Sequence, residues 1–84
     1  MHYTYVLQSR KDSKFYSGLT KDLKLRFEQH NKGKVESTKD RRPFDLIYYE
    51  ACHNRDDAAK REKYFKTYHG KIYLKRRLKS YLTG

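Results

Sequence analysis

The sequence predicts a single α+β domain whose strands and helices follow the order β-β-α-β-α-α. A chain of 84 residues has the length of one domain. Side chains near its beginning alternate with the period of a strand, and apolar residues near its end recur with the period of a helix. No linker, repeat or low-complexity segment divides the chain, so we treat residues 1–84 as one domain.

The first two elements are expected to form a hairpin. Residues of Tyr3–Gln8 alternate as in a strand, Arg10–Ser13 is polar and predicts a turn, and Phe15–Leu19 predicts a second strand. If the strands pair around this turn, Tyr5 and Tyr16 lie on the same face of the sheet.

A helix follows the hairpin. Thr20 is expected to cap its beginning, because a hydroxyl can accept a hydrogen bond from a free backbone N–H group. Leu23, Phe27 and His30 recur at helical spacing. Gly33 is expected to end the helix.

The second half of the chain predicts one strand and two helices. Pro43 cannot donate to a ladder and suits the entry to a strand over Phe44–Tyr49. Asn54 is expected to cap the next helix and Gly70 to end it. The last helix is expected over Lys71–Leu82, with these side chains facing inward: Leu74, Leu78, Tyr81 and Leu82.

The charge of the chain bears on its partners. It has 21 Lys and Arg against 10 Asp and Glu, a net charge of +11. Such a charge attracts polyanions, so nucleic acid is the expected partner, and an anionic membrane surface is the weaker alternative. The single Cys52 excludes an intramolecular disulfide, and neither a signal peptide nor a membrane span is visible. We therefore expect a cytoplasmic location.

Arg26 and His30 are candidate site residues because residues four apart are neighbours on one helix face. Arginine matches the oxygens of a phosphate, and histidine exchanges protons near neutral pH. For these two residues alone, a solvated helix face is the better interpretation.

Glu62 is a candidate metal ligand. It is the only acidic residue between Lys60 and Lys79, and it interrupts the apolar stripe of Ala58 and Phe65. A carboxylate there needs a partner. An ion pair with Lys66 and the binding of Mg²⁺ are about equally supported by the sequence.

Two further sets of residues have a structural and a functional interpretation. Tyr5 and Tyr16 are most simply a cross-strand aromatic pair. In catalysis, a nearby Arg26 and a metal ion would lower a tyrosine pKa from its usual value near 10. Basic residues on the last helix form a solvated face or contact nucleic-acid backbone: Lys71, Lys75, Arg76, Arg77 and Lys79.

Several segments stand in an order that resembles a known family. They are YTY at Tyr3–Tyr5, YSG at Tyr16–Gly18, LRFEQHN at Leu25–Asn31, GK at Gly33–Lys34 followed by Thr38, RPFDLIYYE at Arg42–Glu50 and AAKREKYFK at Ala58–Lys66. This ordered set resembles the GIY-YIG nuclease superfamily, most closely its small stand-alone bacterial members. YTY stands in place of GIY and YSG in place of YIG, and neither change removes a reactive group.

The resemblance implies a small three-stranded antiparallel sheet flanked by helices. It also implies hydrolysis of a DNA phosphodiester with one divalent metal ion, Mg²⁺ or Mn²⁺. By position, Tyr5 or Tyr16 would help to deprotonate water and His30 would relay the proton. Arg26 would stabilise the pentacovalent phosphate, and Glu62 would bind the metal.

We therefore expect a DNA endonuclease whose five candidate residues line one concave face, and we expect a role in DNA repair or recombination. The alternatives are a non-catalytic nucleic-acid-binding module and a regulatory domain for a repair or recombination partner. The catalytic hypothesis requires the side chains to converge, whereas the binding module requires only surface charge.

Overall fold

The computed structural model describes residues 1–84 and contains one antiparallel sheet with four helices. The strands are β1 (His2–Ser9), β2 (Phe15–Thr20) and β3 (Phe44–Cys52). The helices are α1 (Leu23–Asn31), α2 (Arg55–Phe65), α3 (Tyr68–Arg77) and α4 (Lys79–Thr83), with a short 3-10 helix at Lys39–Arg41. The predicted α+β fold class and three-stranded sheet are confirmed. None of the helices combines the length and apolar content that a bilayer span requires.

The strand order is β2-β1-β3, so β1 lies in the centre of the sheet. Tyr5 pairs with Gly18 and Leu7 pairs with Tyr16. Since alternate residues of a strand share a face, Tyr5 and Tyr16 lie diagonally on the same face, as expected.

The central strand is buried on both faces. On one face, Tyr5 and Leu7 form a core with Phe44, against which α1 packs through Leu23 and Phe27. On the opposite face, Val6 packs with residues of α2 and α3: Phe65 and Leu74. The sheet thus separates α1 from α2 and α3.

A hydroxyl group joins the central strand to α2. Thr4 is fully buried, and its Oγ1 donates a 2.7 Å hydrogen bond to the carbonyl oxygen of Ala58. Glu62 lies one helical turn beyond Ala58, so this bond helps to fix where Glu62 stands.

Arg61 attaches α2 to the edge strand β3. Its Nε and Nη2 donate to the two carboxylate oxygens of Glu50 on β3, at 2.9 and 2.6 Å. Its guanidinium lies 4.7 Å from the ring centroid of Phe65 and 5.1 Å from that of Tyr73. The ion pair with Arg61 holds the pKa of Glu50 below its usual value. A paired, stacked arginine of this kind fixes a helix more firmly than an exposed ion pair does.

The ends of α1 are only partly as expected. Asp22, not Thr20, caps the helix by accepting a 3.1 Å hydrogen bond from the N–H of Leu25. The Thr20 hydroxyl instead accepts from the N–H of Asp22, also at 3.1 Å. Gly33 follows the helix with a φ of 76°, the left-handed conformation that glycine adopts without strain, so its role as a stop is confirmed.

The expectation for Gly70 is wrong. Helix α2 ends at Phe65, and the Thr67 hydroxyl caps α3 by accepting from the N–H of Gly70, which is buried in the first turn of α3. A Cβ at Gly70 would overlap the carbonyl of Tyr64. Glycine is needed here for close packing of two helices, a tertiary requirement that looks like a helix stop in the sequence. The predicted last helix is also divided between α3 and α4, and Tyr81 is exposed.

Substitution of Gly70 by alanine should therefore destabilise the protein. Alanine normally favours a helix interior by about 1 kcal/mol over glycine. At this position the overlap with the Tyr64 carbonyl should reverse the sign and lower the free energy of unfolding by about 1–3 kcal/mol. Urea unfolding followed by circular dichroism measures this difference. An equal or higher stability of Gly70→Ala would contradict the packing role.

Candidate active site

A chain of hydrogen bonds connects Tyr5, His30 and Thr38 inside the protein. The Tyr5 hydroxyl lies 2.8 Å from Nε2 of His30, and Nδ1 of His30 lies 2.8 Å from Oγ1 of Thr38. All three side chains are almost completely buried. The chain joins β1, α1 and the loop before the 3-10 helix, which are distant in sequence.

Aromatic rings enclose His30 and determine its charge. Its ring centroid lies 5.1 Å from that of Tyr16, 5.7 Å from that of Tyr5 and 6.0 Å from that of Phe44. Burial, with a smaller contribution from the positive charge of Arg26, lowers the pKa of His30 to about 4. His30 is therefore neutral at pH 7.

A neutral His30 gives the hydrogen-bond chain a direction. Thr38 Oγ1 lies 3.5 Å from the carbonyl oxygen of Val35, which accepts the hydroxyl proton. We assign the tautomer in which Nδ1–H donates to Thr38, because this leaves Nε2 as the acceptor for the Tyr5 proton. The Tyr5 proton then points toward His30, and the Tyr5 oxygen can accept a hydrogen bond from the Arg26 guanidinium beside it.

The pKa of Tyr5 is raised above its usual value. Burial of the hydroxyl is the largest cause, and the negative charge of Glu62 adds to it. The Arg26 guanidinium beside the hydroxyl offsets part of this rise. Tyr5 is consequently a neutral phenol at pH 7, hydrogen-bonded to a neutral imidazole.

Gly18 on the edge strand makes room for the Tyr5 ring. A Cβ at Gly18 would overlap the Cζ and hydroxyl oxygen of Tyr5. Its neighbour Ser17 is small and buried, so β2 is thin beside the phenol. This explains why a glycine follows Tyr16 so closely in the sequence.

Glu62 lies on α2, on the other face of the sheet from α1 and Arg26, so the five candidate residues do not line one face of the sheet as expected. Its side chain is 18% exposed, and its carboxylate lies 2.5 Å from Nζ of Lys66. Lys66 in turn lines a cavity of about 140 Å³ beside Tyr16 and Ser17. Glu62 therefore pairs with Lys66 and at the same time raises the pKa of Tyr5 from across the thin edge of the sheet.

The donors available for a metal ion are few. No three His, Cys, Asp or Glu side chains cluster in the structure. A single carboxylate fits Mg²⁺, which keeps several waters and takes further oxygens from a substrate phosphate. The Glu62 carboxylate is paired with the ammonium of Lys66, which is the ion pair that the sequence offered as the alternative to a metal site.

The five basic residues of the last helices do not share one surface. Lys71 and Lys75 line a cavity of about 470 Å³ with the hairpin residues Ser13 to Phe15. Arg76 and Arg77 line a different cavity, with these neighbours: Tyr64, His69, Ile72 and Tyr73. Lys79 lies on the side of Lys75.

The model of the GIY-YIG catalytic domain matches residues 1–77. The chain belongs to the GIY-YIG family. It is 40% identical over 68 residues to UPF0213 proteins of Staphylococcus aureus strains Mu50 and N315, covering 80% of this chain and 82% of each relative. The solution NMR structure of a UPF0213 protein from Bacillus halodurans is also similar, with a TM-score of 0.54 and 32% identity, covering 87% of this chain and 80% of that one.

Members of the GIY-YIG family are typically nucleases that bind DNA and use a divalent metal ion. The family match covers all five candidate residues from Tyr5 to Glu62. Sequence reasoning assigned no role to Thr38, which orients His30, or to the position of Lys66 beside Tyr16. No local pattern could reveal these contacts, since both depend on tertiary packing.

The low pKa of His30 should make the stability depend on pH. Its pKa is lower in the folded chain, about 4, than in the unfolded chain, 6.5. The contribution of His30 to stability is therefore complete above pH 6.5 and is lost as the pH falls toward 4, by about 2–3 kcal/mol. Urea unfolding at a series of pH values between 7 and 4.5 measures this loss. His30→Gln should reduce it, whereas His53→Gln, at an exposed histidine, should leave it unchanged.

Proposed function

We propose that this protein is a metal-dependent endonuclease that hydrolyses DNA phosphodiester bonds. The observation that supports this best is the buried hydrogen-bond chain from Tyr5 through a neutral His30 to Thr38. A core position could be filled by apolar side chains at lower cost, because buried polar groups need partners to offset their desolvation. A directed chain that ends at a phenol beside an arginine suits proton transfer at an anionic substrate.

Tyr5 and His30 would act together in deprotonating the attacking water. The Tyr5 oxygen accepts a proton from water while its own proton moves to Nε2 of His30, so no isolated phenolate forms. His30 holds that proton briefly because its pKa is about 4. Tyr16 would form one wall of the site for this water, since its ring centroid lies 5.1 Å from that of His30.

Arg26 and Glu62 would stabilise the negative charge that develops on the substrate, the first directly and the second through a bound metal ion. Arg26 lies beside the Tyr5 hydroxyl, where its guanidinium can donate to the oxygens of a pentacovalent phosphate. Glu62 would hold one divalent ion, Mg²⁺ or Mn²⁺, which supplies Lewis-acid stabilisation of the leaving oxygen. Lys66 would have to leave the Glu62 carboxylate for the ion to bind there.

The ion pair between Glu62 and Lys66 also favours a second hypothesis. If this pair persists on DNA, Glu62 binds no metal and the protein is a non-catalytic nucleic-acid-binding module. The net charge of +11 is sufficient for that role. In either case we propose a cytoplasmic location and a role in DNA repair or recombination, since DNA is the proposed partner.

The Glu62→Gln variant tests the metal site. The amide keeps the size of the side chain but loses the charge that a hard cation needs, so Mg²⁺-dependent cleavage should fall at least about a hundredfold. DNA binding in EDTA should stay within about twofold. Loss of an i,i+4 ion pair should lower stability by only about 0.5 kcal/mol.

Lys66→Gln is the matched control for Glu62→Gln, because it breaks the same ion pair from the other side. It should keep cleavage and lower the Mg²⁺ concentration needed for half-maximal rate. Nicking of supercoiled plasmid measures both variants. If Glu62→Gln nicks at the wild-type rate in limiting Mg²⁺, the metal assignment is wrong, and if the wild type nicks no plasmid, branched or single-stranded DNA, the binding module is favoured.

The Tyr5→Phe variant tests the proton relay. It keeps the ring under Gly18 and removes only the hydroxyl, so the cleavage rate should fall about 10²–10⁴-fold. Its stability should fall by about 1–3 kcal/mol because Nε2 of His30 loses its partner. Tyr49→Phe, at an exposed tyrosine on β3, should change neither quantity. Cleavage by Tyr5→Phe within threefold of wild type would exclude the relay.

A further inference from the structure

Three cavities meet at one side chain, Phe15, where β2 begins. The first cavity lies between the hairpin turn and α3, and it is lined by Ser13, Lys14, Phe15, Arg41, Lys71 and Lys75. The second extends toward the candidate active site, and it is lined by Phe15, Tyr16, Ser17, Phe65, Lys66 and Lys71. The third extends toward the chain end, past Lys75 and Lys79. Because they share Phe15 and these lysines, the cavities form one trough, which we call the lysine trough.

The lysine trough carries positive charges that are not neutralised by neighbouring carboxylates. Lys14, Lys71, Lys75 and Lys79 form no ion pair in the structure. Arg41 is the exception, because it pairs with Asp12 at 3.1 Å. Lys71 and Lys75 are one helical turn apart, which separates them by about 6 Å along α3. A row of free ammonium groups at that spacing can contact successive phosphates of one nucleic-acid strand.

The trough leads to the candidate active site. Its second cavity is lined by Tyr16, whose ring is in contact with His30, and by Lys66, which pairs with Glu62. A strand lying in the trough would thus end beside the groups proposed to act on a phosphodiester. Arg76 and Arg77, which carry the same charge on the same helix, line a cavity that includes neither Phe15 nor Tyr16.

We propose that the lysine trough binds a single strand of DNA and delivers it to Tyr16. Lys71, Lys75 and Lys14 contact the phosphates, and the part of the Phe15 ring that does not pack against the core stacks on a base. A basic groove with an aromatic ring is the arrangement that single-strand binding uses, since every base has a face to stack. This proposal rests on the proposed function for its direction, but binding in the trough does not require cleavage.

The test compares two double variants of equal charge in full-length protein. Lys71→Ala with Lys75→Ala removes two trough lysines, and Arg76→Ala with Arg77→Ala removes two arginines outside it. Binding to a fluorescein-labelled 15-nucleotide oligothymidine is measured by anisotropy in EDTA and 0.1 M NaCl, where distant charges are screened over about 10 Å. Thermal unfolding checks that both variants fold.

The lysine variant should lose about tenfold in affinity, and its plot of log K against log salt should flatten by about 1.4, because each phosphate contact on a single strand contributes about 0.7. The arginine variant should stay within about twofold. Phe15→Leu, which keeps an apolar side chain, should weaken oligothymidine binding about fivefold or more and leave a 15-base-pair duplex unaffected.

Equal losses for the two double variants would overturn the trough, and equal effects of Phe15→Leu on duplex and oligothymidine would overturn the assignment to a single strand. Absence of cleavage with the expected binding differences would refute the nuclease and keep the trough. Cleavage of DNA by a protein whose two double variants bind oligothymidine equally well would support the nuclease and refute the trough.

Discussion

Two adjacent residues of the central strand, Thr4 and Tyr5, hold the two layers of this protein together. Side chains of neighbouring strand residues point to opposite faces, so the Thr4 hydroxyl reaches Ala58 in α2 while the Tyr5 hydroxyl reaches His30 in α1. Both side chains are buried, and each hydrogen bond is therefore worth more than one at the surface. The positions of α1 and α2 depend on this alternation, and a slip of one residue would turn both side chains to the wrong faces and break both hydrogen bonds.

This arrangement explains how groups from two layers come within electrostatic reach of one another. The sheet is thick where aromatic side chains cover it, but it is thin at the edge, where β2 contributes Ser17 and Gly18. Glu62 acts on Tyr5 across that edge, and Arg26 acts on it from the side of α1. Since the Tyr5 hydroxyl is buried between them, its proton affinity reports on both charges. Burial dominates the balance, so the pKa of Tyr5 stays above its usual value despite the arginine.

The features that the sequence could predict depend on local patterns. The alternation near Tyr5 predicted the hairpin and the shared face of Tyr5 and Tyr16, and Gly33 and Asn54 marked helix ends through their own backbone chemistry. The features that it could not predict depend on distant neighbours. Gly70 is required by the Tyr64 carbonyl across a helix junction, and Thr38 matters because the fold brings it to His30. The division of the basic residues of α3 between two surfaces is, by contrast, a local feature, since Lys71 and Lys75 are one helical turn apart and Arg76 and Arg77 lie on another face of the helix.

The ion pair between Arg61 and Glu50 allows β3, the edge strand farthest from β2, to determine the orientation of Glu62. Successive residues of a helix point about 100° apart, so the direction of Arg61 determines the direction of Glu62. With Arg61 held by β3 and by the ring of Phe65, rotation of α2 about its axis is restricted, and Glu62 keeps its orientation although no hydrogen bond or ion pair joins it to the sheet. The orientation of the Glu62 carboxylate is thus set by an ion pair on β3, at the other edge of the sheet from β2. Substitution of Glu50 would therefore change the orientation of Glu62, although the two side chains form no hydrogen bond with each other.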